Sequence, residues 1–326
     1  MARIFAYIVH KDGVPDDTAA ELIAAAKKID AAVPLTALAL GSQPELDTVC
    51  ATLRASYSEV WKIAHETLAY PNAELARKAL VKVLPAGSIV LIPHEHFGID
   101  LAPGLSIKLN SAFVSDVLAI EGVQDNSLKV VRQEYGGQVS AHVRCDVSSG
   151  AVITVRPGAF KPLESTAANG NVVDKSAEVG ALTAGRRYLE TVAAEAGDVD
   201  ITKFNVLVSI GRGIQEKDNV AIAQELADAL GAAVSCSRPV VDAKRLEKSR
   251  QVGSSGKTVK PKVYLACGIS GSFQHLAGIK GSPFLIAINK NPKAPIFQVA
   301  DVGIVDDILE FLPELTSKVR EMRHAA

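Results

Sequence analysis

The chain has 326 residues, 48% of them hydrophobic, with 35 Lys and Arg against 36 Asp and Glu and a formal net charge of −1. That balance provides no bulk field for nucleic acid or an anionic membrane surface. No apolar run reaches the ~18 residues needed to cross a bilayer, and the length suits two domains of ~100–200 residues each.

The N-terminal stretch Met1-Ala2-Arg3-Ile4-Phe5-Ala6-Tyr7 enters a strand almost at once. It has neither a secretory apolar region nor an Arg- and Ser-rich transit peptide, so the expected compartment is a prokaryotic cytoplasm. The pattern then alternates. Strands are predicted over 4–9, 34–40, 59–63 and 88–93, and helices over 16–29, 43–54 and 72–84, with Asp16 or Asp17 as the first cap. Ser88-Ile89-Val90-Leu91-Ile92 shows no polar alternation, as befits a parallel strand covered on both faces. The alternation predicts a flavodoxin-like, doubly wound α/β sheet.

His94-Glu95-His96 follows that strand. Two imidazoles could meet a metal there, but no third ligand stands nearby, and a polar loop at the strand end is the favoured reading. After Asn110 the pattern becomes β-rich. Strands over 114–120, 128–135, 139–146 and 151–156, with a turn at Tyr135-Gly136-Gly137-Gln138, extend the first sheet. Residues 183–196 read as a helix and 191–203 as a linker, which divides the chain into domains 1–190 and 204–326.

The second domain opens with a strand over 205–210. A helix over 218–230 turns Val220, Ala223, Leu226, Ala227 and Leu230 inward and stops at Gly231. A strand over 233–236, a charged piece over 242–250 and a glycine-rich loop over 251–257 come next. Then follow a strand over 263–267, a turn over 268–272, a helix over 272–279 and strands over 284–288 and 296–299. A helix over 306–320 closes the domain.

In an open parallel sheet the carboxyl ends of the strands share one edge, and ligands bind there. Here those ends lead into loops with Arg212, Arg238, Lys257 and His275 and few carboxylates. Such loops suit a ligand with phosphates and an electron-rich ring. FAD, NAD or another nucleotide fits equally on these grounds. Gly268-Ile269-Ser270-Gly271-Ser272 matches neither Gly-x-Ser-x-Gly nor Gly-x-Gly-x-x-Gly, so a serine nucleophile and a dinucleotide fingerprint both lack their motif. The four cysteines, Cys50, Cys145, Cys236 and Cys267, include no Cys-x-x-Cys pair. They read as buried thiols, not disulfides or cluster ligands.

Several separated segments together resemble the α subunit of electron transfer flavoproteins. They are Ser209-Ile210-Gly211-Arg212-Gly213, Ser237-Arg238-Pro239-Val240-Val241-Asp242, Gln251-Val252-Gly253-Ser254-Ser255-Gly256-Lys257, Tyr264 to Gly278, Ala287-Ile288-Asn289-Lys290 and Ala294 to Asp301. The match is dense from Val206 onward. The resemblance implies a C-terminal parallel-sheet domain that binds FAD and an N-terminal domain that packs on a β subunit, which holds AMP or a second FAD. It implies that the loop at 94–96 leads into a helix over 101–109. It also implies a carrier, not an enzyme with its own substrate. Electrons would come singly from flavin dehydrogenases, such as acyl-CoA dehydrogenases, and pass to a quinone reductase or similar acceptor.

Residue roles follow from the resemblance alone. Arg212 is implied at the pyrophosphate, Ser237 on the dinucleotide and Arg238 over the flavin ring. Val252, Gly253, Ser254 and Ser255 wrap the flavin, with Ser255 near N5; the family commonly carries Gln then Thr at the last two positions. Ser270, Gly271, Ser272, Phe273, Gln274 and His275 run along the ribityl chain, with His275 donating toward O2. Asn289 is implied at the adenosine, and Asp307 and Ile308 at the adenine. Asn291 stands where the family usually has Asp. The alternatives are the α chain of an electron-bifurcating complex, an NAD-dependent dehydrogenase subunit and a non-redox nucleotide-binding module.

Overall fold

The computed structural model describes residues 3–135, 139–163, 169–186, 188–190, 199–281 and 283–324. They form two compact units, one within 1–190 and one within 191–326. The predicted turn at 136–138 and the later part of the predicted helix over 183–196 lie outside the described residues.

The first unit is a mixed sheet of nine strands. It begins β1 (Ile4–Tyr7), a small hairpin of β2 (His10–Lys11) and β3 (Val14–Pro15), α1 (Thr18–Ile29), β4 (Thr36–Gly41), α2 (Glu45–Leu53) and β5 (Glu59–Ala64). Next come α3 (Ala73–Val83), β6 (Ile89–Pro93), α4 (His96–Leu109), β7 (Ala112–Gln124), β8 (Ser127–Glu134), β9 (Val139–Asp146), β10 (Ala151–Val155), β11 (Asn171–Asp174) and the short α5 (Ser176–Val179). The order is β11-β5-β4-β1-β6-β10-β7-β8-β9. From β11 to β7 every pairing is parallel, while β7-β8-β9 is an antiparallel extension.

The strands β1, β6 and β10 are buried along their whole length. One core lies under α1 and α2, and another under α3 and α4. Asn72 caps α3, its Oδ1 accepting from Glu74 and Leu75 N–H, a bond of the kind that stabilises a helix start by ~1 kcal/mol. The helix α4 starts at His96, five residues earlier than predicted. His96 therefore belongs to a helix and not to a loop, while His94 binds Thr154 Oγ1 at 2.8 Å through Nδ1.

Residues 180–186 and 188–190 are not helical, and the rest of the stretch expected to hold a helix, or part of one, over 183–196 lies outside the described residues. Lysines of α3 hold this segment's carbonyls instead. Lys82 donates to Val179 and Lys78 to Thr183, and Glu74 accepts from Gly185 N–H, so these groups are not left for an i to i+4 ladder.

The second unit is a five-stranded parallel sheet of order β13-β12-β14-β15-β16. Its elements are β12 (Val206–Ile210), α6 (Val220–Leu230), β13 (Ala233–Cys236), α7 (Arg238–Asp242), β14 (Val263–Cys267), α8 (Phe273–Leu276), β15 (Phe284–Ile288), β16 (Val302–Ile304) and α9 (Ile308–His324). As expected, α6 buries Ala223, Leu226 and Ala227, and Gly231 ends it.

Three boundaries differ from expectation. Ile201 is fully buried against Leu207 and Tyr264, so residues 199–204, expected largely as linker, pack into this unit's core. The strand expected over 296–299 is a 3-10 turn, Pro295–Gln298, and the last strand is β16 instead. Pro295 has no N–H for a ladder, and the Ile296 N–H is used by the Ser270 carbonyl at 3.0 Å. The helix expected over 272–279 is one turn, α8. Among the described residues, no helix is long and apolar enough to cross a membrane.

Candidate functional site

The carboxyl ends of β12, β14 and β15, together with the entry to α9, surround one cavity of about 380 Å³. Its lining includes Arg212 and Gly213 after β12, Gly268 and Ser270 after β14, Asn289 and Lys290 after β15, and Asp306, Asp307 and Ile308 before and at α9. The volume lies in the ~300–1,000 Å³ range of small-molecule pockets. Five of the predicted site residues, Arg212, Ser270, Asn289, Asp307 and Ile308, therefore converge.

The floor is made by two glycine loops in contact. A Cβ on Gly268, at φ +65°, would stand 2.8 Å from the Gly213 Cα, closer than side chains tolerate. The walls are tied by side chains. Asn289 donates from Nδ2 to the Ile269 carbonyl at 2.9 Å and accepts from the Asn291 N–H at 2.9 Å. Asp307 accepts from the Leu309 N–H with one carboxylate oxygen and pairs with Lys290 through the other at 2.5 Å. The bond from the Lys290 ammonium, and after it the bond from the Leu309 N–H, outweigh burial and hold the Asp307 carboxyl below its ordinary range. Asn291 closes a turn by accepting from the Lys293 N–H at 3.0 Å. An aspartate oxygen would accept that bond equally well, so the departure at this position leaves the turn intact.

Comparison with known families sharpens this picture. Residues 4–179 match the family model described as "Electron transfer flavoprotein domain", and residues 200–280 match "Electron transfer flavoprotein FAD-binding domain". Protein FixB of Clostridium saccharobutylicum is 32% identical over 98% of this chain and 96% of its own length. The electron transfer flavoprotein subunit alpha of Clostridium acetobutylicum is 34% identical over 97% of this chain and 96% of its own. That of Methylophilus methylotrophus is 42% identical over 71% of this chain and 72% of its own.

The chain belongs to the α-subunit branch of the electron transfer flavoprotein family. Its second unit carries the family's FAD-binding domain. The donor set fits that cofactor. Arg212 is exposed on the cavity, and no carboxylate among the described residues pairs with it. A guanidinium so placed can take two phosphate oxygens at once. Lys290 is the second cation of the lining, though shared with Asp307.

The remaining predicted residues of this electron transfer flavoprotein domain line the same sheet edge towards β13, outside that cavity. Ser237 is buried at the start of α7, and Arg238 is its first residue. The Arg238 side chain is 69% exposed, and its Nε lies 3.4 Å from Asp242 Oδ2. The loop after β13 is laced to α8. Val252 N–H donates to the Cys236 carbonyl at 2.8 Å and Ser254 N–H to the Gln274 carbonyl at 2.7 Å. Gly253, at φ +140°, passes so close to α8 that a Cβ would stand 2.8 Å from the Gln274 oxygen. Ser255 accepts from Gln251 Nε2 at 2.8 Å. Gly271 is buried against Ile296, Ser272 opens α8 by accepting from the His275 and Leu276 N–H groups, and Phe273 and Gln274 are exposed.

His275 is turned into the protein. The resemblance implies a ring that donates to the cofactor. In the structure the ring is 5% exposed, with Nδ1 3.1 Å from the Val252 carbonyl and Nε2 2.9 Å from the Tyr264 hydroxyl. Both nitrogens are engaged inside the protein. Burial pushes the His275 pKa down to about 4, against a smaller upward pull from the Val252 carbonyl, so the ring is neutral at pH 7.

Sequence reasoning did not assign Gly213, Gln215, Gly268, Lys290 or Asp306 to the cavity. Gly213, Gly268 and Lys290 stand inside the segments that carry the family resemblance; Gln215 and Asp306 carried no signal. Among the described residues, no group of three or more His, Cys, Asp or Glu is placed to hold a metal.

Proposed function

We propose that this chain is the FAD-holding α subunit of a two-chain electron carrier. It pairs with a β-type subunit, accepts electrons from flavin dehydrogenases such as acyl-CoA dehydrogenases, and passes them to a quinone reductase or similar acceptor. The observation that carries this reading is the convergence of Arg212, Ser270, Asn289 and Asp307 on one cavity at the carboxyl edge of the second sheet. FAD, when bound, supplies a ring that takes up and releases electrons.

The protein's own groups bind and orient. Arg212 offers an unshared cation for the pyrophosphate. Asn289 fixes the Ile269 backbone and so the shape of the Gly268–Ser272 turn. Asp307 and Ile308 line the cavity at the entry to α9, the position the family resemblance gives to the adenine. Arg238, exposed and held only loosely by Asp242, is free to lie over a flat ring. Ser255 and the Gly253 loop flank that position, and Ser255 keeps a hydroxyl where the family commonly has Thr. No acid–base pair is needed, because the carrier transforms no substrate.

The test is an anaerobic reductive titration of the chain co-produced with its β-type partner, followed by visible absorption. A yellow complex with one FAD, reduced in stages by a flavin dehydrogenase and reoxidised by a quinone reductase, is the expected result. A second FAD with a distinct, lower potential would move the chain to a bifurcating complex. Turnover of NADH by the complex alone would favour a dehydrogenase subunit, and a colourless protein that FAD cannot reconstitute would end the reading.

A further inference from the structure

The amides and carboxylates of the cavity lining are, with one exception, bonded within the protein. Asn289 is bonded to Ile269 and Asn291, and Asp307 to Leu309 and Lys290. Asp306 accepts from the Asp307 N–H at 2.7 Å. The exception is Gln215. It is exposed on the cavity, and among the described residues its carboxamide has no hydrogen-bond partner.

The backbone of Gln215 is also unusual. It stands at φ +60°, ψ −79°, near the centre of the rare γ-turn with positive φ, a strained geometry for a residue with a Cβ. The chain around it is fastened on both sides. The Gln215 N–H donates to the Arg212 carbonyl at 3.1 Å and closes the 3-10 turn Arg212–Ile214. Ile214 is fully buried, and its carbonyl accepts from Asn219 Nδ2 at 2.9 Å. Strain of this kind persists where the surrounding contacts over-determine it, and it gathers at ligand sites. Here it sets Gln215 on the same cavity as Arg212, three residues earlier in the chain.

The chemistry of the lining says what such a side chain can recognise. Arg212 and Lys290 only donate, and Asp306 and Asp307 only accept. A carboxamide does both in one plane, so it fits a flat edge that offers a donor beside an acceptor. The amino group and adjoining ring nitrogen of adenine form such an edge, and Gln reads adenine by this pair of bonds in nucleic acids. A flavin ring has donor–acceptor edges too. Two carboxylates on the lining, however, oppose the negative charge that a flavin ring gains on reduction. The adenine amino group and the ribose hydroxyls, by contrast, are donors that need acceptors.

We propose that Gln215 recognises the adenine of FAD: its side-chain carbonyl accepts from the 6-amino group and its N–H2 donates to the adjoining ring nitrogen. This rests on the FAD reading above.

The test measures the binding of two ligands to the flavin-free complex of the full chain with its β-type partner, by quenching of flavin fluorescence. One ligand is FAD. The other is FAD whose adenine carries hydrogen in place of the 6-amino group. The wild type should bind FAD roughly tenfold more tightly than this analogue, the worth of about one hydrogen bond. In Gln215→Ala that preference should fall to about one. Gln215→Glu keeps an acceptor and loses the donor, so both ligands should bind more weakly while the preference stays near the wild-type value. A wild type that binds the two ligands alike would overturn the inference. So would a Gln215→Ala protein that keeps the wild-type preference, whatever its affinity for FAD, because a purely structural role weakens both ligands together. Wild-type protein that binds neither ligand would overturn the cofactor reading, and this one with it; FAD binding without the preference would overturn this one alone.

Discussion

The side-chain amide of Asn289 donates to the main-chain carbonyl of Ile269 across 2.9 Å, so the end of β15 latches the turn that follows β14. The same side chain accepts from Asn291. Asn289→Asp keeps the acceptor and loses the donor, because a carboxylate has no N–H to give. It also sets a charge beside a carbonyl. FAD affinity should fall by about 1–2 kcal/mol, roughly five- to thirtyfold, for both Asn289→Asp and Asn289→Ala. Fluorescence titration with FAD checks it. Wild-type affinity in Asn289→Asp would mean that the turn holds its shape without the latch.

Arg212 and Lys290 are both cations of the cavity, and among the described residues only Lys290 is paired, with Asp307. Arg212→Ala should leave the thermal stability of the FAD-free protein unchanged, since the side chain is exposed. It should weaken FAD by about 1.5–3 kcal/mol, the range for hydrogen bonds to a charged group. Lys290→Ala removes a pair whose lysine is 59% exposed, and a loss of at most about 1 kcal/mol is expected. Calorimetric FAD titration of the two variants side by side should therefore separate them, with Arg212→Ala the weaker binder.

For Arg238 the expected change is electrical. Its contact with Asp242 joins two exposed side chains and contributes little to stability. A guanidinium over a flat ring stabilises added negative charge. Arg238→Ala should leave thermal unfolding unchanged and lower the flavin potential by roughly 20–40 mV, the equivalent of ~0.5–1 kcal/mol for one electron. Spectroelectrochemical titration measures it, and an unchanged potential would take Arg238 away from the ring.

In the first unit a bulge in β7 sets Asp116 at φ +60°, where its carboxylate meets the Arg156 guanidinium through two bonds. Both side chains are 16% exposed. Burial raises the Asp116 pKa, but Arg156 and the neighbouring cations outweigh it and hold the carboxyl below its ordinary range. Asp116→Ala strands a half-buried guanidinium and should cost about 2–3 kcal/mol, while Asp116→Asn, which keeps an acceptor, should cost less. Trp61, the one tryptophan, lies in this unit, so urea unfolding followed by its fluorescence reads the effect there.

Much of the architecture is legible because strong periodicity and capping act locally. The buried run Ile89–Pro93, the helix that starts beside Asn72 and the stop at Gly231 all stand where the pattern puts them. What escapes the pattern is decided from far away in the chain. Lys78 and Lys82 take the carbonyls that a helix after Thr183 would need. Ile296 gives its N–H to Ser270 and so turns instead of pairing as a strand. The site divides in the same way. Arg212 was legible as a cation of a strand-end loop, and the family resemblance added Ser270, Asn289, Asp307 and Ile308. The inward turn of His275 brings its ring to the hydroxyl of Tyr264, which looks in the sequence like any core tyrosine in a strand.

That inward turn also predicts how stability follows pH. His275 has a pKa of about 4 in the folded chain against 6.5 for an ordinary histidine, because burial disfavours the imidazolium. Above pH 6.5 neither state holds the proton, and the group contributes nothing. As pH falls from 6.5 towards 4 the unfolded chain binds a proton that the folded chain does not, so the equilibrium moves towards unfolding. Below about 4 both states are protonated and the slope ends. The full window amounts to roughly 3 kcal/mol. Replacing His275 by Gln removes the titration, so the wild type should lose about that much more stability than His275→Gln between about pH 7 and about pH 4. Urea unfolding by circular dichroism, with Trp61 fluorescence used to subtract the first unit, measures the difference. Parallel pH curves for the two proteins would mean that the ring is accessible to solvent protons in the folded state.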